Sequence, residues 1–286
     1  MTLKIKTHAR LWTLLARDKP IGVIFRRGPS KQVLLIKWDT RRDSFESGQW
    51  FKGRVYERRC DLSPNGELLI YFAAKQKPPL YSWTAISKPP YFTALALWPK
   101  GDCWNGGGWF VDGKRICLNH HRTEGQLHPD FGMGPVRPVK YAELRGEDDT
   151  VWVHVLERDG WKRIAEGKAS RRGSHGWDLN PPQQWRRHDP KVRKLSLEMA
   201  ITGLGGKNVP WYQTDYRIYA ESDVALDLGS ADWADWDHRG DLVFAKDGCL
   251  FRQNFRNLKP GSAVQIADFN DRKFEEIKPT FQAQHW

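Results

Sequence analysis

The stretch Cys60-Asp61-Leu62-Ser63-Pro64-Asn65-Gly66-Glu67-Leu68-Leu69-Ile70-Tyr71-Phe72 decides the fold class. Pro64 presets the backbone for a turn, and Asn65-Gly66 accepts the positive φ that a tight reversal needs. Apolar runs flank the turn on both sides, so the segment reads as two strands joined by a turn. Working outward, the same unit recurs. Ile21–Arg26 and Gln32–Trp38 flank the cluster Arg27-Gly28-Pro29-Ser30-Lys31, and Arg54–Tyr56 continues the sheet. Thr93–Trp98 leads through Pro99-Lys100-Gly101-Asp102 to Gly108-Trp109-Phe110, then through Asp112-Gly113 to Arg115–Leu118. Val151–Leu156 leads through Arg158-Asp159-Gly160-Trp161 to Lys162–Ala165. Ala231–Trp236, Asp241–Ala245 and Cys249–Arg252 are separated by Asp237-His238-Arg239-Gly240 and Lys246-Asp247-Gly248. A short N-terminal segment reads as one or two helical turns.

Composition agrees. The chain has 286 residues, with 15 Trp, 8 Tyr and 13 Phe against only 3 Met, and 25 Gly and 17 Pro as punctuation. Aromatic side chains suit a pleated, half-buried surface, so the expectation is an all-β chain without a helical domain. A hydrophobic fraction of 40% suffices for a core. The apolar stretch Leu11-Trp12-Thr13-Leu14-Leu15-Ala16 is too short for a signal-peptide core, and no run approaches membrane-spanning length. Cys60, Cys103, Cys117 and Cys249 form no Cys-x-x-Cys pair, and they read as reduced thiols. A cytoplasmic location without a membrane contact is the default expectation.

Trp38-Asp39 closes an apolar strand, and Leu62-Ser63-Pro64-Asn65-Gly66 follows 24 residues later. This pairing resembles the strand-end Trp-Asp and the next blade's Ser-Pro-Asp-Gly turn of WD-repeat and TolB-type β-propellers. The likeness runs from Val33 to Phe72 and is degenerate elsewhere, where Trp-Asp does not recur in register. It implies a single β-propeller-like domain over residues 1–286, with four to six blades of antiparallel sheet. In such folds the last strand often completes the first blade, a role open to Ala263–Asp268.

Residues 158–194 stand apart. They carry eleven Lys or Arg against four Asp or Glu, and they read as a basic surface loop or insertion. Trp161, Trp177 and Trp185 lie among Arg171, Arg172, Arg186, Arg187, Lys191, Arg193 and Lys194. Cations neutralise phosphates and tryptophan faces stack on unpaired bases, which is the chemistry of single-strand binding. Trp and Arg are equally the residue types of protein-interface hot spots. From Asp215 to Asp247 the sign reverses, with nine acidic residues against three basic.

Two further groupings carry chemistry. His120, His121, His128 and Asp130 offer imidazoles and a carboxylate within a short span, a weak case for a divalent metal. An extended backbone sends His120 and His121 to opposite faces, so no metal site is assigned. Asp232, Asp235, Asp237 and Asp241 alternate with Trp233 and Trp236, as the carboxylates of a propeller glycosidase would. The plainer reading is Asp at turn ends, bonding the local backbone. Gly106-Gly107-Gly108 and Gly203-Leu204-Gly205-Gly206-Lys207-Asn208 lack the spacing of a phosphate-cradling loop and read as wide turns. No catalytic set, cofactor or small-molecule substrate emerges. The expected function is a non-catalytic platform docking a protein partner in a larger assembly. Nucleic-acid binding through residues 158–194 is the alternative, and a propeller hydrolase the third reading.

Overall fold

A computed structural model describes residues 8–28, 31–142, 148–192, 194–207 and 209–286. The chain is all-β, with 49% strand and 7% helix, and divides into two compact units. One comprises Met1–Val155 with Asp271–Trp286, the other Leu156–Asn270.

The first unit opens on a four-stranded antiparallel sheet in chain order, β1 (Arg10–Leu15), β2 (Ile21–Arg27), β3 (Gln32–Asp39) and β4 (Ser44–Lys52). The expected N-terminal helical turns are thus corrected over Arg10–Leu15, where Leu11, Thr13 and Leu14 are buried on a strand pairing with β2. Asp39 closes β3 by accepting the backbone N–H groups of Arg41 and Arg42, at 2.9 and 3.1 Å. The next sheet holds β5 (Arg54–Val55), β6 (Asp61–Leu62), β7 (Leu69–Ala74), β8 (Ser82–Ser87) and β9 (Ala96–Pro99), with β6 pairing beside β5 on β7. A third sheet follows with β10 (Gly108–Phe110), β11 (Arg115–Leu118) and β12 (Arg137–Tyr141), the last pair running parallel.

The turn that decides the fold class forms as its residues dictate. Leu62 pairs with Leu69 across it. The Gly66 N–H donates to the Ser63 carbonyl at 2.8 Å, and the Leu68 N–H donates to the Ser63 hydroxyl at 2.9 Å. Gly66 sits at φ +75°, and a Cβ there would lie 2.8 Å from Ile21, so both conformation and space select glycine.

Every residue of β7 and β8 is buried, because the second sheet has apolar neighbours on both faces. Leu69, Tyr71, Ala73 and Ala85 pack with Val23, Phe25 and Leu35 of the first sheet. Ile70, Ile86, Ala96 and Trp98 pack with Phe110, Ile116 and Leu118 of the third. Strand alternation accounts for the division, since successive side chains point to opposite faces.

Val151–Leu156, expected as a strand, is instead part of helix α1 (Asp149–Arg158). Val-Trp-Val-His-Val-Leu alternates like a strand, yet Val151 and Val155 are also one helical turn apart. Packing settles it: Val151 and Val155 meet Trp109, Cys117 and Ala142 together.

The second unit contains a six-stranded sheet of β13 (Trp161–Ala165), β14 (Ala169–Arg172), β15 (Gly176–His188), β16 (Leu195–Gly205), β17 (Tyr212–Ala220) and β18 (Asp223–Ser230). The order is β13-β15-β16-β17-β18, with β14 also on β15. Most of the expected basic loop over 158–194 is therefore strand, a correction with a clear cause. Trp161 and Trp185 are buried core positions on β13 and β15, which pair with one another and so draw the two ends of the zone into the sheet. A four-stranded sheet in chain order follows, with β19 (Trp233–Trp236), β20 (Leu242–Lys246), β21 (Cys249–Gln253) and β22 (Val264–Asp268). The strand expected over Ala263–Asp268 exists as β22, but it pairs with β21 and not with the first sheet. Asn270 holds that end by donating to the Asp247 carbonyl at 2.9 Å.

Candidate docking surface

The basic zone divides along the length of β15. Pairing with β13 ends at Ala165–Gln184, and pairing of β17 with β18 ends at Asp215–Ser230. Beyond those points only β14, β15, β16 and the start of β17 continue, forming a narrow ribbon. All four residues of β14 are exposed.

Register places side chains on the two faces of the ribbon. Arg171, Trp177, Leu204 and Tyr212 stand directly across from one another on adjacent strands, hence on one face. Arg172, Gly176 and Gly205 are opposite one another on the second face. Trp211 lies on that second face, because a Cβ on Gly205 would meet its ring at 3.1 Å. Each face thus presents an exposed tryptophan, Trp177 at 46% and Trp211 at 53%. The Arg172 guanidinium is held flat by Asp178 at 3.1 Å, the Gly205 carbonyl at 2.9 Å and the Gln213 side chain at 3.1 Å. Lys168, Arg171, His175 and Lys207 are exposed around it. Sequence alone places Lys207 only in a wide turn and does not reach Trp211. The available signal was the Gly205-Gly206-Lys207 turn followed by Pro210-Trp211, which places an aromatic beside a sharp reversal.

The other end of the zone is built differently. Trp185 is fully buried and Trp161 is 4% exposed, so neither is available to a partner. Trp185 stands across from Met199, which is opposite Tyr216, and the Arg163 guanidinium lies 4.7 Å from the Trp185 ring. Arg186 pairs with the buried carboxylate of Glu198 at 2.9 Å, while Gln184 donates to its other oxygen at 2.8 Å. Arg187 pairs with Asp235. Burial pushes the Asp235 carboxyl upward, against the pull of Arg187. Lys194 pairs with Glu221 at 2.7 Å, and Lys191 donates to the Arg239 carbonyl. Arg193 lies outside the described residues. Much of the local positive charge is thereby neutralised within the chain.

The histidines do not converge. His120 is buried and its Nε2 lies 2.8 Å from the Thr84 hydroxyl. His121 is exposed and meets Thr123 at 2.7 Å, while His128 faces Asp130 at 3.7 Å. Among the described residues no group of three or more His, Cys, Asp or Glu is placed to hold a metal ion. The Asp237 carboxylate accepts the N–H groups of Arg239 at 2.8 Å and Asp241 at 3.0 Å, and Arg252 bonds both Asp237 and Asp241. These acids cap a turn and bind an arginine.

No protein-family model matches the sequence, and no curated protein matches it either. The solved structures that match include an uncharacterized protein of Listeria monocytogenes EGD-e, at 8% identity and a TM-score of 0.32. The match covers 96% of this chain and 86% of that one. A likeness at that level assigns no function. Among the described residues no helix is long and apolar enough to cross a membrane.

Proposed function

We propose that the chain is a non-catalytic, propeller-type platform whose successive sheets act as blades and whose six-stranded sheet docks a protein partner. The observation that carries this reading is the narrow end of that sheet, where Trp177 and Trp211 stand exposed beside Arg171 and Arg172. Trp and Arg dominate interface hot spots, and recognition residues concentrate on edges held by a rigid scaffold. The blade reading draws support from sheets that follow one another along the chain and from a second sheet apolar on both faces. The turn at Ser63–Gly66, like that of WD-repeat and TolB-type propellers, points the same way. A cytoplasmic setting suits four free cysteines.

The alternatives lose ground on specific side chains. Arg158, Arg163, Arg172, Arg186, Arg187 and Lys194 each have a carboxylate partner, which takes six of the ten described cations of the zone away from a phosphate backbone. Three of the four acids of the hydrolase reading, Asp235, Asp237 and Asp241, are engaged by Arg187 and Arg252. The test is purification of the full chain from its native cells. A protein should co-purify in fixed ratio, and replacing Trp177 and Trp211 together by Ala should release it while the melting temperature holds. A chain that emerges alone and monomeric rejects the platform.

A further inference from the structure

β14 is an edge strand with one side open. The Lys168 N–H donates to the Pro181 carbonyl and the Asn180 N–H to the Lys168 carbonyl, both at 2.9 Å, so the backbone of Lys168 faces β15. Antiparallel pairing alternates. Ser170 and Arg172 therefore face β15 as well, and the N–H and C=O groups of Ala169 and Arg171 point away from it. Those groups meet no partner among the described residues, and the strand is exposed throughout. An open edge is a template for a further strand, and charged side chains along it decide which strand is admitted. Here Lys168 and Arg171 have no carboxylate partner among the described residues, and the one acid of the ribbon, Asp178, is taken by Arg172.

We infer that the open edge of β14 receives an acidic, extended segment of a partner protein by strand addition. This rests on the docking reading and supplies its chemistry. Backbone pairing to Ala169 and Arg171 holds the segment, and a carboxylate opposite Arg171 selects it, since opposite charges directly across a ladder stabilise it and like charges oppose it. A second copy of the chain is a poor occupant. A second β14 would repel it, and on the acidic edge strand β18 Asp227 is already bound to Arg217 at 2.9 Å, with two register shifts interrupting the pairing.

The probe is a synthetic peptide of alternating Glu and Val, compared with its Gln counterpart and with a duplex DNA of similar length, each titrated into the full chain. The Glu peptide should bind, the Gln peptide about tenfold or more weaker, and the amide protons of Ala169 and Arg171 should gain protection from exchange. Ala169→Pro removes an outward donor and leaves the β14–β15 ladder intact, as proline on an edge strand permits. It should weaken the Glu peptide about tenfold, the equivalent of one lost ladder bond, at an unchanged melting temperature. Arg171→Glu should reverse the peptide preference. Equal binding of both peptides, full binding by the Ala169→Pro protein, or binding of duplex alone would each overturn strand addition by an acidic segment. Failure here with an intact native complex would leave the platform standing on another contact.

Discussion

His120 shows what burial does to one titratable ring. The ring is fully buried, with its Nε2 2.8 Å from the Thr84 hydroxyl, which itself accepts the Gly107 N–H at 2.7 Å. Burial lowers its pKa from 6.5 to about 4, with Lys100 adding to the effect while Glu124 and Asp102 oppose it. The unfolded chain takes up this proton near the ordinary value and the folded chain only near 4, so between the two the unfolded state binds more. Stability therefore falls as pH drops from about 6.5 towards 4, by up to ~1.4 kcal/mol per pH unit from this ring alone. Urea melts across that range should show the slope, and His120→Gln should flatten it. An identical slope in the variant would place the sensitivity elsewhere.

Along a single strand, β15 changes character from core to surface. Trp185 is enclosed beneath the six-stranded sheet, whereas Trp177, eight residues earlier, is 46% exposed. Trp185→Ala should cost roughly 3–5 kcal/mol, as for other buried aromatics, and Trp177→Ala no more than ~0.5 kcal/mol, as for open surface. Chemical denaturation of the two variants separates them, and equal losses would mean that Trp177 is structural. The contrast also explains what was legible in the sequence. Turns with local chemistry were readable, such as Ser63–Gly66, where every bond lies within a few residues. So were Asp39 and Asp237, whose carboxylates bond the N–H groups just ahead of them. The state of 158–194 was not readable, because its Gly, Pro and Arg content describes a loop while its partners, Glu198 just beyond it and Asp235 some forty residues on, come into reach only when the sheet pairs. Helix α1 escaped for a related reason, since an alternating apolar run fits both periods until a neighbour such as Trp109 chooses between them.

For the molecule as a whole, the formal charge of +12 already counts every carboxylate, so ion pairs do not lower it but decide where it is exposed. Ion pairs within the second unit absorb much of the basic zone and leave Lys168, Arg171 and Lys207 open at the ribbon. If duplex DNA binds there at low salt, replacing those three with Gln should reduce the slope of log affinity against log salt by about 3. Fluorescence anisotropy across a salt series measures it. A reduction twice as large would mean that the paired arginines also reach phosphates. The second sheet of the first unit carries a different consequence. Because β7 and β8 are buried along their whole length, water reaches their backbone only when the sheets on either side come apart. Their peptide protons should thus be among the last in that unit to trade with heavy water, a clock set by global opening and not by local fraying.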